Sequence, residues 1–265
     1  MSDPNANPES EAGLDFQQSF VSHLVELRDR LVRGLAVVLV VFFGLCLYPS
    51  PAGLYDLLAM PLVAHLPHGA TLIATNPIAP FMVPIKVTML AAAVASLPWL
   101  LYQIWAFVAP GLYAHEKRLV LPLIVSSTVL FYSGMAFCYF FVFGKVFAFI
   151  QSFAPKSITA APDIEAYLSF VTNMFLAFGA AFEVPVVLVI LVRMGLVTTD
   201  KLREFRGYFT VIAFVIAAVV TPPDVVSQLA LAVPMVLLYE AGIWAAQIFL
   251  KHTQAPDTEP SQSQP

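Results

Sequence analysis

The residues able to do chemistry in this chain are carboxylates and cations set against long apolar runs. Glu183 lies in "FGAAFEVPVV", beside Pro185, in a stretch that is otherwise hydrocarbon. An ionised carboxylate in a low-dielectric interior is costly unless it is paired, hydrated or protonated. Glu183 therefore reads as a functional group or as a hydrogen-bonded link between two helices. Glu240 interrupts a second apolar run, ten residues before its end. Two further acids stand among cations: Glu26 in "HLVELRDRL", and Glu116 in the crowded quartet His115, Glu116, Lys117 and Arg118. Each can pair locally, as Glu26 and Arg30 do at i,i+4 spacing. Each can equally accept a planar, bidentate guanidinium, a geometry that lysine does not reproduce. The sequence carries no HExxH, no GxSxG, no nucleotide-binding loop and no histidine inside an apolar run, so enzymatic chemistry is not expected. Cys46 and Cys138 fall in apolar runs and read as small hydrophobes, with no disulfide framework, metal site or cofactor implied.

The elements that must position these residues follow from composition. Of the 265 residues, 59% are hydrophobic and only 11% charged, and the mean hydropathy is +0.82. Soluble domains average about 25% charged residues, so this is an integral membrane protein. A helix needs about 20 apolar residues to cross a bilayer. Six such runs are predicted: Leu31–Tyr48, Val83–Val108 (interrupted by Lys86, Pro98 and Gln103), Leu119–Phe143, Tyr167–Val192, Tyr208–Val220 and Val225–Leu250. The expected fold is an all-α integral membrane protein with six transmembrane helices in one domain, residues 19–251. Residues 1–18 and the Pro-rich tail 252–265 are expected to be disordered. The polar, acidic start of the chain argues against a cleaved signal peptide.

The fifth run reaches only about 20 Å at 1.5 Å per residue, and Pro234, Glu240 and Gln247 break up the sixth. Both are expected to be short, with a partner helix covering positions such as Val211 and Met235. Lys and Arg concentrate before the first run, between the second and third, between the fourth and fifth, and after the sixth. That bias puts both termini in the cytoplasm. It puts Glu183 roughly 13 Å from the cytoplasmic end of its span, near the bilayer midplane. Pro61 and the "TPPDVVSQ" link with Asp224 then belong to turns on the periplasmic side.

Taken together and in order, "HLVELRDRL", "MPLVAHLP", "QIWAFVAPGLYAHEKR", "FGAAFEVPVV" and "TPPDVVSQ" resemble the TatC family, the polytopic receptor subunit of the twin-arginine protein translocase. The resemblance runs from about His23 to Phe249, with Lys117 where the family often has arginine. It implies a signal-peptide receptor and core scaffold in the bacterial cytoplasmic membrane, handling folded precursors under the proton gradient. It also implies a site for paired-arginine signal peptides at Glu26, Arg28, Phe107 and Glu116. In this family the intramembrane glutamate, here Glu183, faces a concave groove and supports contact with small single-span Tat partner subunits (TatA/TatB type). Glu240 is expected at similar depth. Homo-oligomers within a hetero-oligomeric complex are implied as well, and no nucleic acid. The alternative is a proton- or sodium-coupled small-solute transporter using Glu183, Glu240 and Lys86 as a relay. Such proteins commonly carry duplicated halves, and the two halves of this chain do not match.

Overall fold

Backbone polar groups in hydrocarbon must be satisfied within the segment that carries them, so long apolar runs become helices. The computed structural model describes residues 8–63, 72–108, 120–153, 162–221 and 224–251, and among them helix dominates. The helices are α1 (Pro8–Leu47), α2 (Pro51–Val63), α3 (Ala79–Ala95), α4 (Leu97–Val108), α5 (Val120–Phe137), α6 (Phe143–Phe153), α7 (Ile164–Phe182), α8 (Val184–Arg193), α9 (Thr199–Glu204), α10 (Arg206–Val220) and α11 (Val225–Lys251). A π-helical segment, Cys138–Val142, joins α5 to α6.

Among the described residues each of the six apolar runs is built of helix, with breaks at Ser96 and Glu183. Among the described residues, four continuous stretches are long and apolar enough to cross a membrane: Val21–Leu47, Leu121–Ile150, Ile164–Arg193 and Val225–Ile248. A fifth is the pair α3 and α4, bent by 55°. The bend follows from Pro98, which offers no N–H to the preceding turn. Hydrogen bonds from Ser96 N–H to the Ala92 carbonyl (2.9 Å) and from Leu100 N–H to the Ser96 carbonyl (3.0 Å) carry the chain around it. The sixth, α10, has only 15 residues, as the sequence suggested.

Three expectations need correction. The sixth span is not short: α11 runs 27 residues, straight through Pro234. Residues 8–18 are helical rather than disordered, as the first turns of α1; the good helix formers among them (Glu, Ala, Leu, Gln) outweigh their polarity. Residues 1–7 and 252–265 lie outside the described residues. Pro61 lies in the last turns of α2 and not in a turn between elements. The contacts divide the chain into two compact units. One unit takes in α1, most of α2, α3, α4 and the first half of α5; the other takes in the rest of α5 and everything from the π segment onward.

In the first unit, α1 crosses α4 where Gly34 leaves room, since a Cβ there would stand 3.1 Å from Leu100 Cδ2. The buried Trp105 donates its indole N–H to Ser127 Oγ at 2.9 Å, tying α4 to α5. In the second unit, the core is aromatic: Phe143 stacks obliquely on Phe147, Phe170 and Phe175 with centroids 5.4–5.8 Å apart. Such ring pairs add to the burial of their area. The wider turn of the π segment keeps both Cys138 and Val142 buried while Phe140 and Phe141 stay exposed. Two other contacts fix backbones closely. A Cβ at Gly134 of α5 would meet the Phe178 carbonyl oxygen of α7 at 2.5 Å, and one at Gly242 of α11 would meet Pro185 Cα of α8 at 2.9 Å. Small residues at helix crossings are how membrane helices approach one another.

Helix α8 ends in a Schellman turn. Leu196 N–H reaches the Leu191 carbonyl (3.1 Å) and Gly195 N–H the Val192 carbonyl (3.0 Å), with Gly195 at φ +69°. Only a glycine takes that conformation at little cost. The turn delivers the chain into α9, capped by Thr198, whose side chain accepts from Lys201 N–H at 3.3 Å.

Candidate functional site

The first group of polar residues gathers where the N-terminal half of α1 meets α4. Glu26 belongs to the same continuous helix as the first span, so it rides on a rigid element. Arg30 donates to Glu26 Oε1 twice, from Nη2 at 2.6 Å and from Nε at 2.9 Å. Its Nη1 reaches Gln103 Oε1 on α4 at 3.5 Å. His23 stacks on Phe107 with centroids 4.3 Å apart and planes 20° apart. His23 Nδ1 lies 3.9 Å from the other carboxylate oxygen, Glu26 Oε2. The arrangement orients one carboxylate by a salt bridge through a single oxygen and leaves the second oxygen able to accept another donor.

Glu26 and Phe107 are thus brought together, through His23. Arg28 is not: two residues along a helix point to different faces, and Arg28 pairs with Asp29 (2.8 and 3.0 Å) on the exposed side. Glu116 lies outside the described residues. The sequence reading did not assign Gln103 to the site. Its signal was present, as an amide buried in an otherwise apolar run.

The second group lies in the other unit. Glu183 stands at the junction of α7 and α8, its backbone N–H bonded to the Ala180 carbonyl at 3.1 Å and its carbonyl accepting from Val187 N–H at 3.0 Å. Pro185 falls in the first turn of α8, where its missing N–H costs least. The span therefore breaks at the glutamate, whose side chain is half-buried and does not cap α8. Glu240 has a partner that the sequence did not reveal: Arg206, the first residue of α10, donates Nη2 to Glu240 Oε2 at 2.7 Å. Helix α10 thus begins level with Glu240, and the last eleven residues of α11 run past it. From this level on, α11 packs on α9: Tyr239, just before Glu240, donates its hydroxyl to the Leu202 carbonyl at 2.8 Å. With its amide oxygen turned toward Arg203, Gln247 accepts from that guanidinium. Met235, expected at a partner-facing position, is buried, whereas Val211 is exposed.

At the opposite ends of the helices, acids serve as caps. Asp224 Oδ1 accepts from Ser227 N–H at 2.7 Å and so caps α11. Asp163 does more. Its Oδ1 accepts from Glu165 and Ala166 N–H (2.9 and 3.0 Å), capping α7. Its Oδ2 accepts from the hydroxyl and the N–H of Thr75 (2.7 and 3.0 Å). Ile73 completes the clasp, with its N–H bonded to the Pro162 carbonyl and its carbonyl to Ile164 N–H, both at 3.0 Å. The Thr75 hydroxyl is the main cause, with the N–H groups of Ala166, Thr75 and Glu165, of an Asp163 pKa lowered to about 2.

The sequence profile of the family described as "TatC: Sec-independent protein translocase protein (TatC)" matches residues 22–234. A Sec-independent protein translocase protein TatC of Halothiobacillus neapolitanus is 53% identical over 232 residues, which are 88% of this chain and 63% of that protein. This chain thus spans less than two thirds of the length of that relative. The protein of the same name from Haemophilus influenzae is 48% identical over 238 residues, 90% of this chain and 92% of that one. The Escherichia coli K12 protein is 47% identical over 233 residues, 88% and 90% of the two chains. Among solved structures, a crystal structure of the twin-arginine translocase receptor TatC superposes with a TM-score of 0.73 at 37% identity, covering 85% of this chain and 98% of that one.

Proposed function

The chain belongs to the TatC family of Sec-independent protein translocase proteins, and from that premise we propose that it is the signal-peptide receptor and core scaffold of a twin-arginine translocase. It sits in the bacterial cytoplasmic membrane with both termini in the cytoplasm and exports folded precursors at the expense of the proton gradient. The observation that carries the reading is the α1–α4 cluster. A carboxylate oriented by Arg30 through one oxygen, beside a stacked His23–Phe107 pair, suits a guanidinium that brings an apolar neighbour with it. Glu116 supplies a second, separated acceptor, as two adjacent arginines require. Arg28, turned to the other face, contributes positive charge and not a direct contact. Glu183 and Glu240 serve docking of small single-span partner subunits of the TatA/TatB type, Glu240 with its Arg206 partner as a unit.

Binding of a twin-arginine signal peptide to the purified protein, compared with a twin-lysine peptide, tests the site. Glu116→Gln and Glu26→Gln should each weaken twin-arginine binding by about 1–3 kcal/mol while insertion and fold survive. Photocrosslinking from position 116 to a precursor should depend on the arginine pair. Unchanged affinity in a well-folded Glu116→Gln protein removes that residue from the site.

A further inference from the structure

The second unit contains a cavity of about 450 Å³ between α8 and the α9–α10 segment, with Val184, Val187, Leu191, Phe205 and Phe209 in its wall. Its lining is hydrocarbon but for two groups. The Tyr239 hydroxyl is already engaged by the Leu202 carbonyl. The other is Lys201, an exposed side chain on α9. Its cationic neighbours on the same segment are matched: Arg203 lies 3.5 Å from Asp200 and Arg206 2.7 Å from Glu240. No carboxylate among the described residues pairs with Lys201. The cavity is thus apolar within and carries one uncompensated positive charge. It lies where Arg193, Lys201, Arg203 and Arg206 outnumber Asp200 and Glu204.

We propose that this cavity holds an acyl chain of an anionic glycerophospholipid whose phosphate rests on Lys201. Two arguments converge on that occupant. The wall offers no free polar group for a peptide backbone, which an acyl chain does not need. A lone lysine at the mouth matches a phosphate at the level where headgroups lie, and basic pockets between helices on the cytoplasmic side bind such headgroups. The short α10 leaves this level of α8 and α11 partly uncovered, and the lipid completes their packing. The cavity belongs to the second unit, whereas the signal-peptide site belongs to the first, and it does not depend on that site.

The test uses the purified full chain in neutral detergent, titrated with dioleoylphosphatidylglycerol or dioleoylphosphatidylcholine, with retained lipid counted by native mass spectrometry. The wild type should retain the anionic lipid preferentially. Lys201→Gln should reduce phosphatidylglycerol retention about fivefold, as expected for one cation at a lipid surface, and leave phosphatidylcholine unchanged. Val187→Trp, at a site 41% exposed and so able to take a larger side chain, should lower retention of both lipids. Equal retention of the two lipids by the wild type overturns the proposal, as does a Lys201→Gln protein that keeps its preference. Crosslinks from position 187 in native membranes that go to a single-span protein instead of lipid overturn it too.

Discussion

Glu183 and Asp163 are both acids at helix junctions of the same unit, yet their surroundings give them opposite tasks. Asp163 accepts four hydrogen bonds, two from the start of α7 and two from Thr75, and holds an extended segment against a helix. Those bonds favour the charged form, so its pKa is lowered to about 2 in the folded protein, below the ~3.9 of a free aspartate. The clasp therefore contributes stability that is fully present above about pH 4 and is lost as pH falls toward 2. Thermal unfolding followed in detergent between pH 5 and 2 should show this decline. Asp163→Asn should lower the melting temperature at pH 7 and flatten the pH dependence. Glu183 stands at a break in its span, where a carboxyl can meet an incoming polar side chain. Glu183→Gln keeps its size and hydrogen-bonding roles, so partner capture and transport should largely persist. Glu183→Ala should lose both. A glutamine variant that binds signal peptide and partners but does not transport would replace docking with proton transfer as its role.

At the scale of elements, the shortness of α10 has a local cause and a lateral consequence. Its 15 residues give about 22 Å of helix, and its first residue is anchored on Glu240 rather than at the end of α11. The matched part of the hairpin is therefore α10 with the first sixteen residues of α11. Val211, Val215 and Val219 of α10, together with Leu237 of α11, remain exposed. Hydrocarbon that meets an under-length helix is thinned or replaced by a protein neighbour. Cysteines at Val211 and Val219 should crosslink to a single-span partner more efficiently than cysteines at Val125 and Val129 of α5, which are also exposed. A uniform pattern around the helices would remove α10 as a docking edge.

For the whole molecule, orientation is the property on which the proposed function rests. The basic segments α8–α10 and the α1 lead-in must face the cytoplasm for a cytoplasmic signal peptide to reach Glu26. The bias of Lys and Arg predicts that side. A cysteine at Asp200 should be labelled by an impermeant maleimide only after the membrane is opened, and one at Thr75 in intact spheroplasts. Labelling at position 200 from outside would reverse the topology and with it the assignment of the receptor surface.

The sequence by itself determined the number of apolar runs, the short fifth span, the acids that interrupt the others and the charge bias between the loops. These are sums over neighbouring residues, and hydrophobicity and helix length are read locally. Only the tertiary structure decided which polar groups meet. Arg206 finds Glu240 across 34 positions, Arg30 finds Gln103 across 73 and Thr75 finds Asp163 across 88. Nothing in the spacing along the chain encodes those distances. They follow from which helix faces pack together, as α1 does on α4 beside Gly34 and α10 on α11. The same cause explains the sixth span. Pro234, Glu240 and Gln247 looked like interruptions in sequence. In the fold Glu240 has a cation, Gln247 faces Arg203, and α11 passes through all three unbroken, because polar side chains with partners to meet remove none of a helix's backbone hydrogen bonds.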